Sequence, residues 1–116
     1  MKRYLFYLLS FCCLIMNSCE TGNPGLQKEV QSFLDSYTAE YLKLYAASSE
    51  ASWKSNIEII EGDSSNAKAT QQANEKLAAF TGSQQHIEKV STFLKSSKEL
   101  TPLQVKQLET ILFMAG

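Results

Sequence analysis

The side chains able to do chemistry in this chain are few: one histidine, His86, three cysteines, Cys12, Cys13 and Cys19, and twelve carboxylates. Helical zinc enzymes place two histidines one turn apart with a glutamate beside the first, as H-E-x-x-H, so that both imidazoles reach one ion from one face. His86, in Gln85-His86-Ile87-Glu88, has no second imidazole to share a metal, and the reading places it on a helix surface. Nucleophilic catalysis fares no better. There is no G-x-S-x-G turn, no phosphate-binding glycine loop, and any serine nucleophile would need His86 as its base. The carboxylates sit on amphipathic stretches, and their spacing singles out no acid/base pair. The chain therefore presents no catalytic, cofactor-binding or metal residue and is not a self-sufficient enzyme.

Cys19 carries a different chemistry. Met1-Lys2-Arg3 supplies two positive charges, and residues 4–16, YLFYLLSFCCLIM, come next without a charge. That run is shorter than the ~20 residues a membrane-spanning helix needs, so it reads as a secretory signal over residues 1–18. Met16-Asn17-Ser18-Cys19 is similar to the lipobox of bacterial lipoproteins, in which a small residue precedes the cysteine to be acylated. Ser18 and Cys19 fit it; Met16 and Asn17 depart from the leucine-then-small preference. Lipidation at Cys19 is the expectation, ahead of plain secretion and of an uncleaved anchor. It would place the protein in the bacterial cell envelope, held on a membrane by its acyl chains. Cys12 and Cys13 fall in the apolar run, so the mature chain would have no disulfide and no thiolate pair.

Removing residues 1–18 leaves 98 residues with nine basic against twelve acidic side chains. This mildly acidic balance lacks the basic stripe of a nucleic-acid binder. Residues 19–25 would be the lipidated cysteine and a polar tether, with Asn23 and Pro24 as cap and first position of the first helix.

The elements that would position these side chains are all helices. Residues 26–61 contain no proline or glycine, and Leu26, Val30, Phe33, Tyr37, Tyr41, Leu44, Trp53, Ile57 and Ile60 return in steps of three and four, interrupted only by the small residues of 46–52. The spacing predicts one helix of about 54 Å, too long for a compact domain of ~100 residues, whose radius of gyration is near 13 Å. Such a helix either bends or lies across a larger body. Phe33, Tyr37, Tyr41 and Tyr45, spaced i, i+4, should stack along one face and pack against other helices. Glu50, Lys54 and Glu58 make a charge ladder on a solvated face.

Residues 62–66 form the expected hairpin turn. A second helix comes after it, with Ala67, Ala73, Leu77 and Phe80 and then Ile87, Val90, Phe93 and Leu94 on its apolar face. Gly82 is read as a kink within it, at a cost of about 1 kcal/mol relative to alanine. Thr101-Pro102-Leu103-Gln104 combines a capping threonine, a proline at the first helical position and a glutamine three after the cap, which starts a third, short helix. Leu103, Leu108, Ile111 and Leu112 should give that helix its apolar face. The fold class is all-α, a long helical hairpin plus a short third helix over residues 26–116.

Several of these stretches together resemble the N-terminal part of the peptidase M2 family, the angiotensin-converting-enzyme-like dipeptidyl carboxypeptidases. The likeness rests on an F-L-x-x-Y segment (Phe33, Leu34, Tyr37), an A-x-W-x-x-N-x-x-I signature (Ala51, Trp53, Asn56, Ile59), Ala73-Asn74-Glu75, and Leu100-Thr101-Pro102-Leu103, in that order. The resemblance implies an all-helical zinc metallopeptidase that releases dipeptides from the C-terminus of oligopeptides. Its zinc would be held by an H-E-x-x-H helix and a later glutamate that have no counterpart here. It also implies that the N-terminal helices form a lid over a deep cleft, gating access and excluding water.

On that reading the chain is an incomplete lid segment, inactive alone, whose partners are the remaining catalytic body, the oligopeptide substrates of the full enzyme and, through the lipid, a membrane. Zinc is expected only in the full-length family member. The alternative is a free-standing small helical lipoprotein that binds a partner through its aromatic face, and a third, weaker reading is a small membrane protein anchored by residues 4–16. Standing alone, so few residues in a hairpin and a short helix should be only marginally stable.

Overall fold

The computed structural model describes residues 22–116; the signal segment and Cys19 lie outside the described residues. The described chain is all α-helical: α1 (Pro24–Ile57), α2 (Ser65–Thr81), α3 (Gln84–Lys95), a single 3-10 turn (Ser97–Glu99) and α4 (Pro102–Ala115).

Helix α1 starts where a cap and a proline are supplied together. The Asn23 side chain accepts from the Leu26 amide at 3.2 Å, and Pro24, which has no N–H to leave unpaired, takes the first helical position. Its 34 residues span about 51 Å. The helix stops at Ile57, four residues short of the expected end. Ile57, Ile59 and Ile60 are β-branched and poor helix formers, and the chain gains a better-bonded exit. The Glu58 carbonyl accepts from Asn66 Nδ2 at 3.0 Å. The Asp63 amide then closes a turn on the Ile60 carbonyl at 3.0 Å. Gly62, third residue of that turn, has φ of 81°, the left-handed region glycine enters without steric cost.

The second arm of the hairpin corrects the expectation of a kink at Gly82. It is two helices, not one. The Gly82 amide still bonds back to Ala78, but Ser83 adopts an extended backbone (φ −61°, ψ 119°) and becomes the cap residue of α3. A Cβ on Gly82 would lie 3.2 Å from the Ala78 carbonyl, so the absence of a side chain lets the last turn of α2 close tightly. The break lets α3 leave the line of α2 and turn its apolar face to the base of α1.

There the core forms. Val30, Leu34 and Tyr37 of α1 meet Val90 and Phe93 of α3, Leu100 from the connection, and Leu108 and Ile111 of α4. Val30, Val90 and Leu108 are fully enclosed. Polar bonds close the same end. Asn23 N–H and Gln27 Nε2 both donate to the Glu99 carbonyl, at 3.1 and 3.0 Å. The expected capping box is present, with the Thr101 hydroxyl accepting from Gln104 N–H and Gln104 Oε1 accepting from Thr101 N–H, each at 3.2 Å.

That box reorders the apolar face of α4. Leu103, expected inside, is exposed, whereas Gln104 is buried and its Nε2 donates to the Gln27 carbonyl at 2.8 Å. A side chain already held by the cap faces α1, and the leucine before it is turned outward.

Candidate functional site

The aromatic column expected from the i, i+4 spacing is present along α1. Phe33 and Tyr37 are 6.0 Å apart by ring centroid, Tyr37 and Tyr41 stack at 6.4 Å, and Tyr41 and Tyr45 at 5.9 Å. Its lower three members are drawn into the core, with Tyr37 on Phe80 at 4.8 Å and Phe33 on Phe93 at 5.6 Å. Tyr45, one turn further, is exposed. Lys89 lays its ammonium 5.4 Å from the Phe33 centroid and 5.7 Å from that of Phe93, a cation–π arrangement that covers the rings.

His86 is not on a free helix surface. It is half-buried, edge-on to Phe80 at 4.7 Å and to Tyr37 at 5.2 Å, with Nδ1 3.2 Å from the Phe80 carbonyl. The break at Gly82 explains the difference, because turning α3 swings its first turn over the end of α2. In that place the ring packs as an aromatic and ties the two helices together. Among the described residues no group of three or more histidine, cysteine or acidic side chains is placed to share a metal ion.

The less expected chemistry lies one helix away. Tyr37 is buried in the core, and its hydroxyl has no hydrogen-bond partner among the described residues; Gln107 on α4 is half-buried, and its enclosed Oε1 likewise has none among them. Burial, with a smaller push from neighbouring Tyr41, holds the Tyr37 pKa above the ordinary tyrosine value. A buried unsatisfied donor or acceptor costs about 1–3 kcal/mol. Both side chains line a cavity of about 160 Å³ between α1 and α4. This cavity shares Tyr41 and Met114 with a more open cleft of about 430 Å³ that continues past Tyr45 and Leu77. The i, i+4 spacing pointed to Tyr37 as a packing residue, but no sequence signal pairs it with Gln107.

The residues on which the expected M2 likeness rests spread over all parts of the described chain. Phe33, Leu34 and Tyr37 are in the core, Ala51, Trp53 and Asn56 on the far half of α1, Ile59 in the exit from it, residues 73–75 on α2, and residues 100–103 at the start of α4. Trp53 and Ile59, the two largest members of the signature, are 67 % and 82 % exposed. The charge ladder is solvated as expected, with Lys54 3.7 Å from Glu58.

No protein-family model matches the chain, and comparison with curated proteins and with solved structures finds no match. Among the described residues no helix is long and apolar enough to cross a membrane.

Proposed function

We propose that this chain is the N-terminal lid part of an M2-like zinc peptidyl-dipeptidase, exported and lipid-anchored through Cys19, and without activity of its own. The observation that carries the reading is the state of the signature it shares with that family. Trp53 is exposed on a helix whose other half buries its large apolar residues, and Ile59 is exposed in the exit from that helix. Soluble proteins seldom leave apolar groups of that size clustered in water without a partner surface, and a catalytic body beneath the lid supplies one. Lid helices contribute by gating the cleft and excluding water, so a chain with one histidine is consistent with a part whose zinc ligands lie elsewhere.

The rival reading, a free-standing helical lipoprotein that binds a partner, is favoured by the closed core around Val30, Val90 and Leu108 and by the capped starts of α1 and α4. One measurement separates the two. An antibody against residues 26–61 should detect, in source cells, a product far larger than 13.0 kDa. That product should release dipeptides from oligopeptides, lose the activity to a chelator and regain it with zinc. A single band at the size of this chain would overturn the lid reading in favour of the free-standing one.

A further inference from the structure

The two ends of the described chain differ in the sign of their charge. At the base, residues 22–29 and 95–103 hold Lys28, Lys95 and Lys98 against Glu29 and Glu99, and Lys89 adds a fourth ammonium in the cleft that Lys28 lines. The bonds from Asn23 and Gln27 to the Glu99 carbonyl bring those two segments together. At the tip, around the hairpin turn, residues 50–68 hold Glu50, Glu58, Glu61 and Asp63 against Lys54 and Lys68. From this polarity we infer that the base docks on an anionic phospholipid surface, with the tip directed away from it. The base is built for such a contact. Lys28 and Lys89 line one cleft of about 570 Å³ between α1 and α3, together with Ser32 and Glu29. Among the described residues none of the four base ammonium groups is in an ion pair, so they are available to headgroup phosphates, whereas Lys54 at the tip is held by Glu58. Leu103, in the first turn of α4, is exposed at the same end. Lysines beside an exposed leucine match the boundary between headgroups and acyl chains.

The occupant is the surface to which the chain would be tied. Cys19 precedes Pro24 by five residues, a reach of about 17 Å at full extension against the ~51 Å of α1. An acyl group on Cys19 therefore holds the base, not the tip, beside the bilayer. Acyl chains fix the position of the rod but leave it free to tilt. The charge difference between its ends sets its direction, because basic side chains are drawn to an anionic surface and carboxylates are repelled. The inference rests on the lipid-anchored reading for the role of Cys19, and adds to it an orientation in which Trp53 and Ile59 are held clear of the membrane.

The test is the rate at which each lysine of the protein purified from source cells is acetylated by an N-hydroxysuccinimide ester, read by peptide mass spectrometry. It is measured on vesicles of phosphatidylcholine alone and of phosphatidylcholine and phosphatidylglycerol in equal parts. Phosphatidylglycerol should slow the labelling of Lys28, Lys89, Lys95 and Lys98 and leave Lys54 and Lys68 unchanged, and molar salt should remove the difference. Lys98→Gln should lower the protection of the other three base lysines about five-fold, the worth of one basic side chain near an anionic surface. Equal slowing at base and tip, or no effect of phosphatidylglycerol, would overturn the inference. So would equal protection of the base by soluble glycerol phosphate without vesicles, which would make the cleft a site for a free anion. The comparison of vesicles needs no variant, so it decides the matter even if Lys98→Gln fails to fold. The same spectra report whether Cys19 carries acyl groups. An unacylated Cys19 would sink the anchoring part of the proposed function, whereas an acylated protein whose base lysines ignore phosphatidylglycerol would sink the orientation alone.

Discussion

The two halves of α1 share one helix and one apolar spacing yet meet opposite fates. In the lower half, Val30, Leu34 and Tyr37 are buried by α3 and α4. In the upper half, Leu42, Tyr45, Trp53 and Ile57 remain exposed, with α2 alongside. The contacts that join the upper pair are polar and small. Ser48 donates to Asn74 Oδ1, and the Thr70 hydroxyl lies 2.9 Å from the Ala51 carbonyl and 3.0 Å from that of Asn66. Apolar periodicity specifies a face; it does not supply the partner that buries it. Two helices have only one shared seam, and the opposite side of each stays wet, whereas four helices at the base enclose side chains from several directions.

The largest expected effect tests that contrast directly. Leu108→Ala at the base removes a fully enclosed side chain and should cost about 2–5 kcal/mol, transfer plus cavity. Trp53→Ala in the upper half removes a larger side chain and should shift stability by no more than about 0.5 kcal/mol, since its surface is already wet. Urea denaturation of both variants measures the difference. Comparable losses would show that the upper half is as tightly packed as the base. Amide hydrogen exchange should give the same ordering, with residues 45–57 exchanging faster than residues 30–41.

Intermediate effects come from the ends of the helices. Gly62→Ala places a Cβ at φ 81° and should cost about 1 kcal/mol through the strained turn. Thr101→Ala removes the acceptor for Gln104 N–H and should also cost about 1 kcal/mol. The two losses should differ in location. Exchange should quicken around the hairpin turn for Gly62→Ala and across the α1–α4 contact for Thr101→Ala, because Gln104 also bonds to Gln27.

These termini are also where the sequence was most legible. Asn23-Pro24 and Thr101-Pro102-Leu103-Gln104 are local signals whose geometry involves only neighbouring residues, and both helix starts form as read. The all-α class and the aromatic column were legible for the same reason, since i, i+4 spacing is a property of one helix. What required the structure was every decision made between helices. Gly82 as kink or break depended on whether α3 had a core to turn toward. A lone histidine without a second imidazole reads as a surface residue, but His86 is packed by Phe80 and Tyr37 from two other helices. Leu103 and Gln104 exchanged places because a hydrogen bond to Gln27, 77 residues away, outweighed the local apolar pattern. The Tyr37–Gln107 cavity belongs to the same class, a meeting of α1 and α4 that neither segment announces.

A smaller effect sharpens the picture of the base. Tyr37→Phe removes a hydroxyl that is buried without a partner, so it should leave stability unchanged or raise it by up to about 1 kcal/mol. Alkaline pH separates this from simple tolerance. The folded-state pKa of Tyr37 is raised by burial, so its contribution is fully present below the unfolded tyrosine value of about 10 and is lost as pH rises through the folded one. Stability measured upward from pH 9 should fall less for Tyr37→Phe than for the unaltered protein. Equal slopes would mean that the hydroxyl reaches solvent.

The smallest expected effect lies at the far tip and carries the opposite sign with pH. The Asp63 carboxylate accepts from the Ser65 amide at 2.8 Å, and this bond holds its pKa below the ordinary aspartate value. Its contribution is therefore present above the unfolded pKa of about 3.9 and is lost as pH falls through the lower, folded one. The group is solvent-exposed, so the change should be local rather than global. The first turn of α2, where Ser65 N–H has this side chain as its acceptor, should loosen while the base stays closed. Comparing amide chemical shifts of residues 63–68 with those of residues 90–111 between pH 5 and pH 2.5 tests this. The tip should move first, and Asp63→Asn, whose neutral amide can still accept from Ser65, should flatten that response without abolishing the turn. Simultaneous movement of tip and base would mean that the two halves of α1 unfold as one unit. The contrast in their packing would then carry no difference in local stability.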